Sequence, residues 1–171
     1  MVSLNIKEQH INTLKELFSK YKNPYELKQA DIKDIEKIVK PLGSYKKKSQ
    51  AVITIAKILN EEYNDEVPKN RQKLEQLPMV GRKTTNVILT EIYDIPNIAV
   101  DTHVSRISKR LGLAKYSDTP FEIETKLKRK IEKTKWNRFP QQAVLFGRYH
   151  CKAINPECKN CKLKNICKEV R

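Results

Sequence analysis

The chain has 171 residues, enough to bury a hydrophobic core as one domain or as two small helical lobes around a cleft. Its 35 lysines and arginines face 20 aspartates and glutamates, a formal charge of +15 that exceeds what solubility needs and suits a polyanionic partner, nucleic acid first. No run of about 18 apolar residues, no signal peptide and no lipidation motif accompanies that charge, which argues against a membrane role.

Apolar residues recur at three- and four-residue spacing, and no alternating run is long enough for a sheet, so the expected fold class is all-α. Ile11, Leu14 and Phe18 form a first stripe, and Ile32, Ile35 and Val39 form a second that Pro41 and Gly43 close; both are expected in the core. The run Lys46, Lys47, Lys48 reads as a solvated face. A longer helix over about 51–63 carries Ile55, Ile58 and Leu59 and ends before Pro68, followed by a turn of helix over 70–76. After Leu77, Pro78, Met79, Val80 and Gly81 a second helix begins with Arg82. The turn from Asp94 to Pro96 marks the expected boundary between lobes 1–96 and 97–171. Beyond it, helices are expected from near Asp101, over about 121–133 in a lysine-rich stretch, and over 140–149. No internal repeat or low-complexity tail interrupts this order.

All four cysteines, Cys151, Cys158, Cys161 and Cys167, lie in the last stretch of the chain. Disulfide scaffolds staple distant loops, whereas a tight cluster of thiols encloses a metal centre, and that reading implies a reducing, intracellular compartment. The segment 77–86 is a tight hairpin between two helices. Its amides, with those of the following helix N-terminus, can bind a phosphate without reading a base, and Gly81 would allow the close approach. By itself such a hairpin is equally an ordinary structural turn.

Residues 77–86, followed by Ile98-Ala99-Val100-Asp101-Thr102-His103, resemble the helix-hairpin-helix and Gly/Pro-Asp signature of DNA glycosylases. Within that superfamily the chain is similar to the endonuclease III family from about Ser3 to Cys167, with hairpin, aspartate segment and cysteines in the family's order. The resemblance implies a hairpin-bearing barrel lobe and an iron-sulphur lobe with a DNA-binding cleft between them. It implies base excision repair: a DNA glycosylase with AP lyase activity that acts on double-stranded DNA holding a damaged base, oxidised pyrimidines above all, or an abasic site. By the same resemblance Lys83 is the nucleophile and Asp101 its carboxylate partner. An amine can displace the base, form a Schiff base and permit elimination of the 3′ phosphate, whereas water could only remove the base. An ordinary lysine is protonated at neutral pH, so the site has to favour the neutral amine, and Arg82 and the positive helix end are expected to help. Asp101 could shuttle a proton and stabilise positive charge on the sugar, but aspartate is also a favoured helix cap. Lys83 could equally solvate its helix, and His103 reads as structural.

Leu77, Pro78, Met79, Val80, Gly81, Arg82, Thr84 and Lys152 are the expected DNA contacts. The spacing of six, two and five residues between the cysteines is the one with which the family holds a 4Fe-4S cluster, and four thiolates suit it; four-thiolate zinc is the rival. Four features depart from the family. Met79 stands where glycine is usual, so a looser turn is expected. The loop 153–157 leaves Lys152 as the only cation between the first two cysteines. The chain begins where the family already has helices, which predicts apolar surface covered by self-association or another chain, and Asn5 stands where a glutamine is common. A DNA-binding protein with weak or lost catalysis, or a glycosylase that removes mismatched bases only, are the competing functions.

Overall fold

The computed structural model describes residues 2–169, with side chains described at residue 8 and from residue 10 onward. Among the described residues every regular element is helical: α1 (Val2–Lys20), α2 (Pro24–Lys28), α3 (Ile32–Val39), α4 (Tyr45–Tyr63), α5 (Arg71–Glu75), α6 (Arg82–Glu91), α7 (Thr102–Arg110), α8 (Pro120–Lys130) and α9 (Arg138–Tyr149). Single 3-10 turns lie at Lys40–Leu42, Lys133–Lys135 and Lys164–Ile166. No helix among these residues is long and apolar enough to cross a membrane.

Side-chain caps set several helix starts. Asn23, Asp31, Asn70, Asp101 and Thr119 each accept from a backbone N–H in the first turn that follows, which satisfies donors the helix itself leaves open. Thr119 and Glu122 form a reciprocal capping box at α8. The short α2, which periodicity did not reveal, exists because Asn23 caps it and Pro24 supplies a helical φ at its first position.

The chain divides into two compact units, Met1–Val80 and Gly81–Arg171. In the first, α4 packs on α2 and α3, and Leu17, Ile35, Ile38 and Val39 make a buried cluster with Tyr21, Leu27 and Leu42 against it. In the second, α7 packs on α8 and α9, and Ile98, Val100, Val104, Ile123, Leu127 and Ala143 form the core with Trp136 and Phe139 alongside. The division falls between Val80 and Gly81, not near Pro96 where turn residues placed it. Ile98 and Val100 are buried with the α8 side chains, and the Asn86 amide of α6 donates to the Ile98 carbonyl at 2.9 Å. The residues just after the expected boundary are thus core of the second unit.

The first apolar stripe is corrected. Ile11, Leu14 and Phe18 are 45%, 47% and 60% exposed, while among the described side chains of α1 Thr13 and Leu17 are buried. Those two lie roughly a third of the way round the helix from the stripe. In the second stripe Ile35 and Val39 are buried, but Ile32 is exposed. Lys46 and Lys47 are exposed as expected, whereas Lys48 is half-buried and donates to the Leu42 carbonyl. The side chain of Asn5 lies outside those described.

Candidate functional site

The hairpin keeps a tight turn despite its methionine. Met79 takes φ +59°, the left-handed conformation that glycine adopts at low cost, and the Val80 N–H closes the turn on the Leu77 carbonyl at 3.1 Å. The expectation of a looser turn is therefore not met: the surrounding chain holds methionine in the glycine conformation. The Met79 side chain is exposed, Pro78 and Val80 are half-buried, and Leu77 is buried, its carbonyl already used by Val80. Leu77 is thus a core residue whose side chain offers nothing to a ligand.

Gly81 precedes α6 in extended backbone, φ −95° and ψ 179°, with nothing within 4 Å of where a Cβ would stand. No side chain caps this helix. The first amides of α6 consequently keep open donors at the positive end of the helix dipole, an arrangement that favours anions. Lys83 is its second residue, exposed, and neither hydrogen-bonded nor ion-paired among the described residues; Thr84 is exposed beside it.

Arg82 behaves differently. Its Nε donates to Glu124 Oε2 at 2.7 Å and its Nη2 to Oε1 at 3.1 Å, while its guanidinium lies over the Phe121 ring, 4.4 Å from the centroid. Lys128 also reaches Glu124 Oε1, at 2.7 Å, and donates to Asn97 at 3.0 Å. Burial pushes the Glu124 carboxyl up, but the bonds from Arg82 and Lys128 outweigh it and hold the group below the usual carboxylate range. Two cations on one carboxylate leave this trio a single net positive charge. Arg82 is therefore tied into the fold, which weakens both its expected contact with DNA and its expected help in deprotonating Lys83.

Asp101 is half-buried at the start of α7. Its Oδ1 accepts from the Val104 N–H at 2.8 Å, so the capping expectation holds for one oxygen. No hydrogen bond or ion pair joins Asp101 to Lys83. His103 meets Arg106 Nη2 at 3.1 Å, and Arg106 donates onward to the carbonyls of Gly147 at 2.8 Å and Cys151 at 3.2 Å. A Cβ on Gly147 would stand 2.9 Å from His103 Nδ1 and 3.0 Å from Arg106 Nη2, so only glycine lets α9 approach this closely. His103 is structural here, as its sequence context suggested.

Cys151, Cys158, Cys161 and Cys167 are free, half-buried thiols that all line one cavity of about 610 Å³. Arg110 of α7 grips their loop: Nη1 donates to the Lys152 carbonyl at 2.7 Å and to Cys151 Sγ at 3.2 Å, and Nε pairs with Glu169 at 2.6 Å. Among the described residues no three His, Cys, Asp or Glu side chains converge on one point as a ready ligand set. The sulphurs stand around the cavity, and four soft donors lining one space fit an iron-sulphur group. Lys152 is exposed and ion-paired with Glu157 at 2.8 Å, so the one cation between the first two cysteines is matched by an acid of the same stretch.

Sequence reasoning missed Glu124, the acid that anchors Arg82. Its signal was available: it lies between Ile123 and Leu127 on the inner side of α8, with Lys128 four residues on.

Residues 3–133 match the family described as HhH-GPD superfamily base excision DNA repair protein. Endonuclease III of Bacillus subtilis (strain 168) is 41% identical over 155 residues, covering 91% of this chain and 71% of that one. Endonuclease III of Thermotoga maritima is 42% identical over 157 residues, covering 92% and 73%. A solved structure of a trapped endonuclease III-DNA covalent intermediate superposes with a TM-score of 0.88 at 39% identity, over 92% of this chain and 74% of that one. An uncapped helix start bearing Lys83, a capping Asp101 and four cysteines on one cavity thus lie in a chain that belongs to the endonuclease III family of the HhH-GPD superfamily.

Proposed function

We propose that Lys83 is the nucleophile with which this chain, a DNA glycosylase and AP lyase of base excision repair, attacks the damaged nucleotide. The observation that carries the assignment is the placement of Lys83: an exposed amine without an acceptor, one residue inside a helix whose first amides have no side-chain cap. Those open amides can hold a DNA phosphate while the amine reaches the adjoining sugar.

The reaction runs in two stages. The neutral Lys83 Nζ forms a bond to C1′ of the sugar, the bond to the base breaks, and the base leaves with its electron pair and takes up a proton. The sugar ring then opens to a protonated Schiff base, which acidifies the C2′ proton. Loss of that proton expels the 3′ phosphate, and water frees Lys83. Asp101 supports the first stage: Oδ1 is held by the α7 cap, and Oδ2, which makes no hydrogen bond among the described residues, can stabilise the positive charge that develops on the sugar or carry a proton. Because a stacked base is out of reach, the nucleotide has to be extruded at a cost of a few kcal/mol, which damage lowers. Oxidised pyrimidines in double-stranded DNA are the proposed substrates.

Cys151, Cys158, Cys161 and Cys167 are the residues that would hold a 4Fe-4S cluster. Such a group would cross-link the loop and supply a compact charged centre to it. The grip of Arg110 on this loop is compatible with that role.

Borohydride trapping on a duplex with an abasic site tests the assignment. Wild-type protein should give a covalent complex that Lys83→Ala cannot form while its DNA affinity stays within about twofold. Trapping that survives in Lys83→Ala would reject it. Lys83 also speaks against a base-only glycosylase, which needs no amine, and similarity to endonuclease III over most of the chain speaks against lost catalysis.

A further inference from the structure

A buried acid holds the residue next to the proposed nucleophile without bonding to the nucleophile itself. Glu124 is 2% exposed, on a face of α8 whose neighbours Ile123 and Leu127 are core residues. A well-packed apolar side chain at such a position is as a rule no less stable than a buried ion pair. What a carboxylate adds is direction. Its two oxygens take the planar guanidinium of Arg82 as a fork, at 2.7 and 3.1 Å, and the Phe121 ring supports the guanidinium from another side at 4.4 Å. Arg82 is the first residue of α6 and Lys83 the second. Fixing the first side chain on α8 fixes the backbone from which the second projects.

We propose that Glu124 is a positioning residue for the lysine chemistry, acting through Arg82, with Phe121 as the second support. The proposal rests on Lys83 being the nucleophile. Lysine has four rotatable side-chain bonds, so its reach onto one carbon depends on where its Cα is held. A misplacement of about 1 Å can cost on the order of 10²-fold in rate.

The test is the single-turnover rate of borohydride trapping on an abasic duplex at saturating protein, with DNA affinity measured in parallel. Glu124→Gln removes the charge at nearly constant volume and should slow trapping about tenfold, with affinity kept within about twofold. Combined with Arg82→Ala it should be no slower than the slower single variant, because both act on one link. Glu124→Asp, which keeps the charge, should recover part of the rate. If Glu124→Gln does not fold, Phe121→Ala at its exposed position still removes one support and should slow trapping several-fold at unchanged affinity. Wild-type trapping rates in the folded variants, an equal loss of affinity, or multiplying effects in the double variant would overturn the proposal while leaving Lys83 in place. Trapping that persists in Lys83→Ala would overturn the nucleophile assignment and the positioning role with it.

Discussion

At Asp101 the two carboxylate oxygens do different things, and substitution can separate them. Oδ1 caps α7 through the Val104 N–H, a task asparagine performs equally well. Asp101→Asn should therefore melt within a few degrees of wild type, whereas Asp101→Ala should lose about 1 kcal/mol. Both should slow base removal by at least tenfold, by analogy with the loss of an electrostatic stabiliser. Thermal denaturation beside a single-turnover glycosylase assay checks this, and full activity in Asp101→Asn would reduce the residue to a cap. Met79 invites the converse experiment. Its left-handed backbone costs about 1 kcal/mol relative to glycine, and the looser unfolded chain of a glycine variant takes back about half of that, so Met79→Gly should raise the melting temperature by about 1–2 °C. The residue types at both positions were legible in the sequence. That methionine would be held in glycine's conformation was not, because packing and the Val80–Leu77 bond decide it.

Among the helices, α6 through α9 start and stop close to where caps, prolines and periodicity put them, since those signals are local. The exposed side of α1 was not legible: periodicity shows that Ile11, Leu14 and Phe18 share a stripe but does not say what lies opposite. The lysine-rich reading of α8 hid its one buried acid in the same way. Glu124 gives this helix a defined acid response. Its carboxyl is held below the usual range, so its contribution is present above the ordinary glutamate range and is lost as pH falls through its lowered value. Glu124→Gln should be less stable than wild type at neutral pH and converge on it in acid, below the lowered value. Urea unfolding at the two pH values measures this, and a constant difference would show that the ion pairs contribute nothing.

Taken as a whole, the molecule is a strong cation whose binding to DNA should respond steeply to salt. A chain of charge +15 that contacts six to ten phosphates should lose about 10³-fold or more in affinity between about 50 and 200 mM salt, linearly on logarithmic axes. Titration of an undamaged duplex at four salt concentrations checks it, and a flat response would mean that few phosphates are engaged. Composition made the charge legible at once, and apolar periodicity did the same for the all-helical fold. The division of the chain was not legible, because Asp94 to Pro96 reads as a turn that could separate lobes while Ile98 and Val100 just beyond it are buried with α8.

Gly147 has a consequence for how the protein tolerates mutation. Even an alanine there would push against His103 and Arg106, and Arg106 is bonded to the Cys151 carbonyl at the foot of the cysteine loop. With the iron-sulphur cluster proposed for that loop, the first sign of such a change would be visible to the eye, as paler preparations with less iron per chain, before any assay on DNA was run.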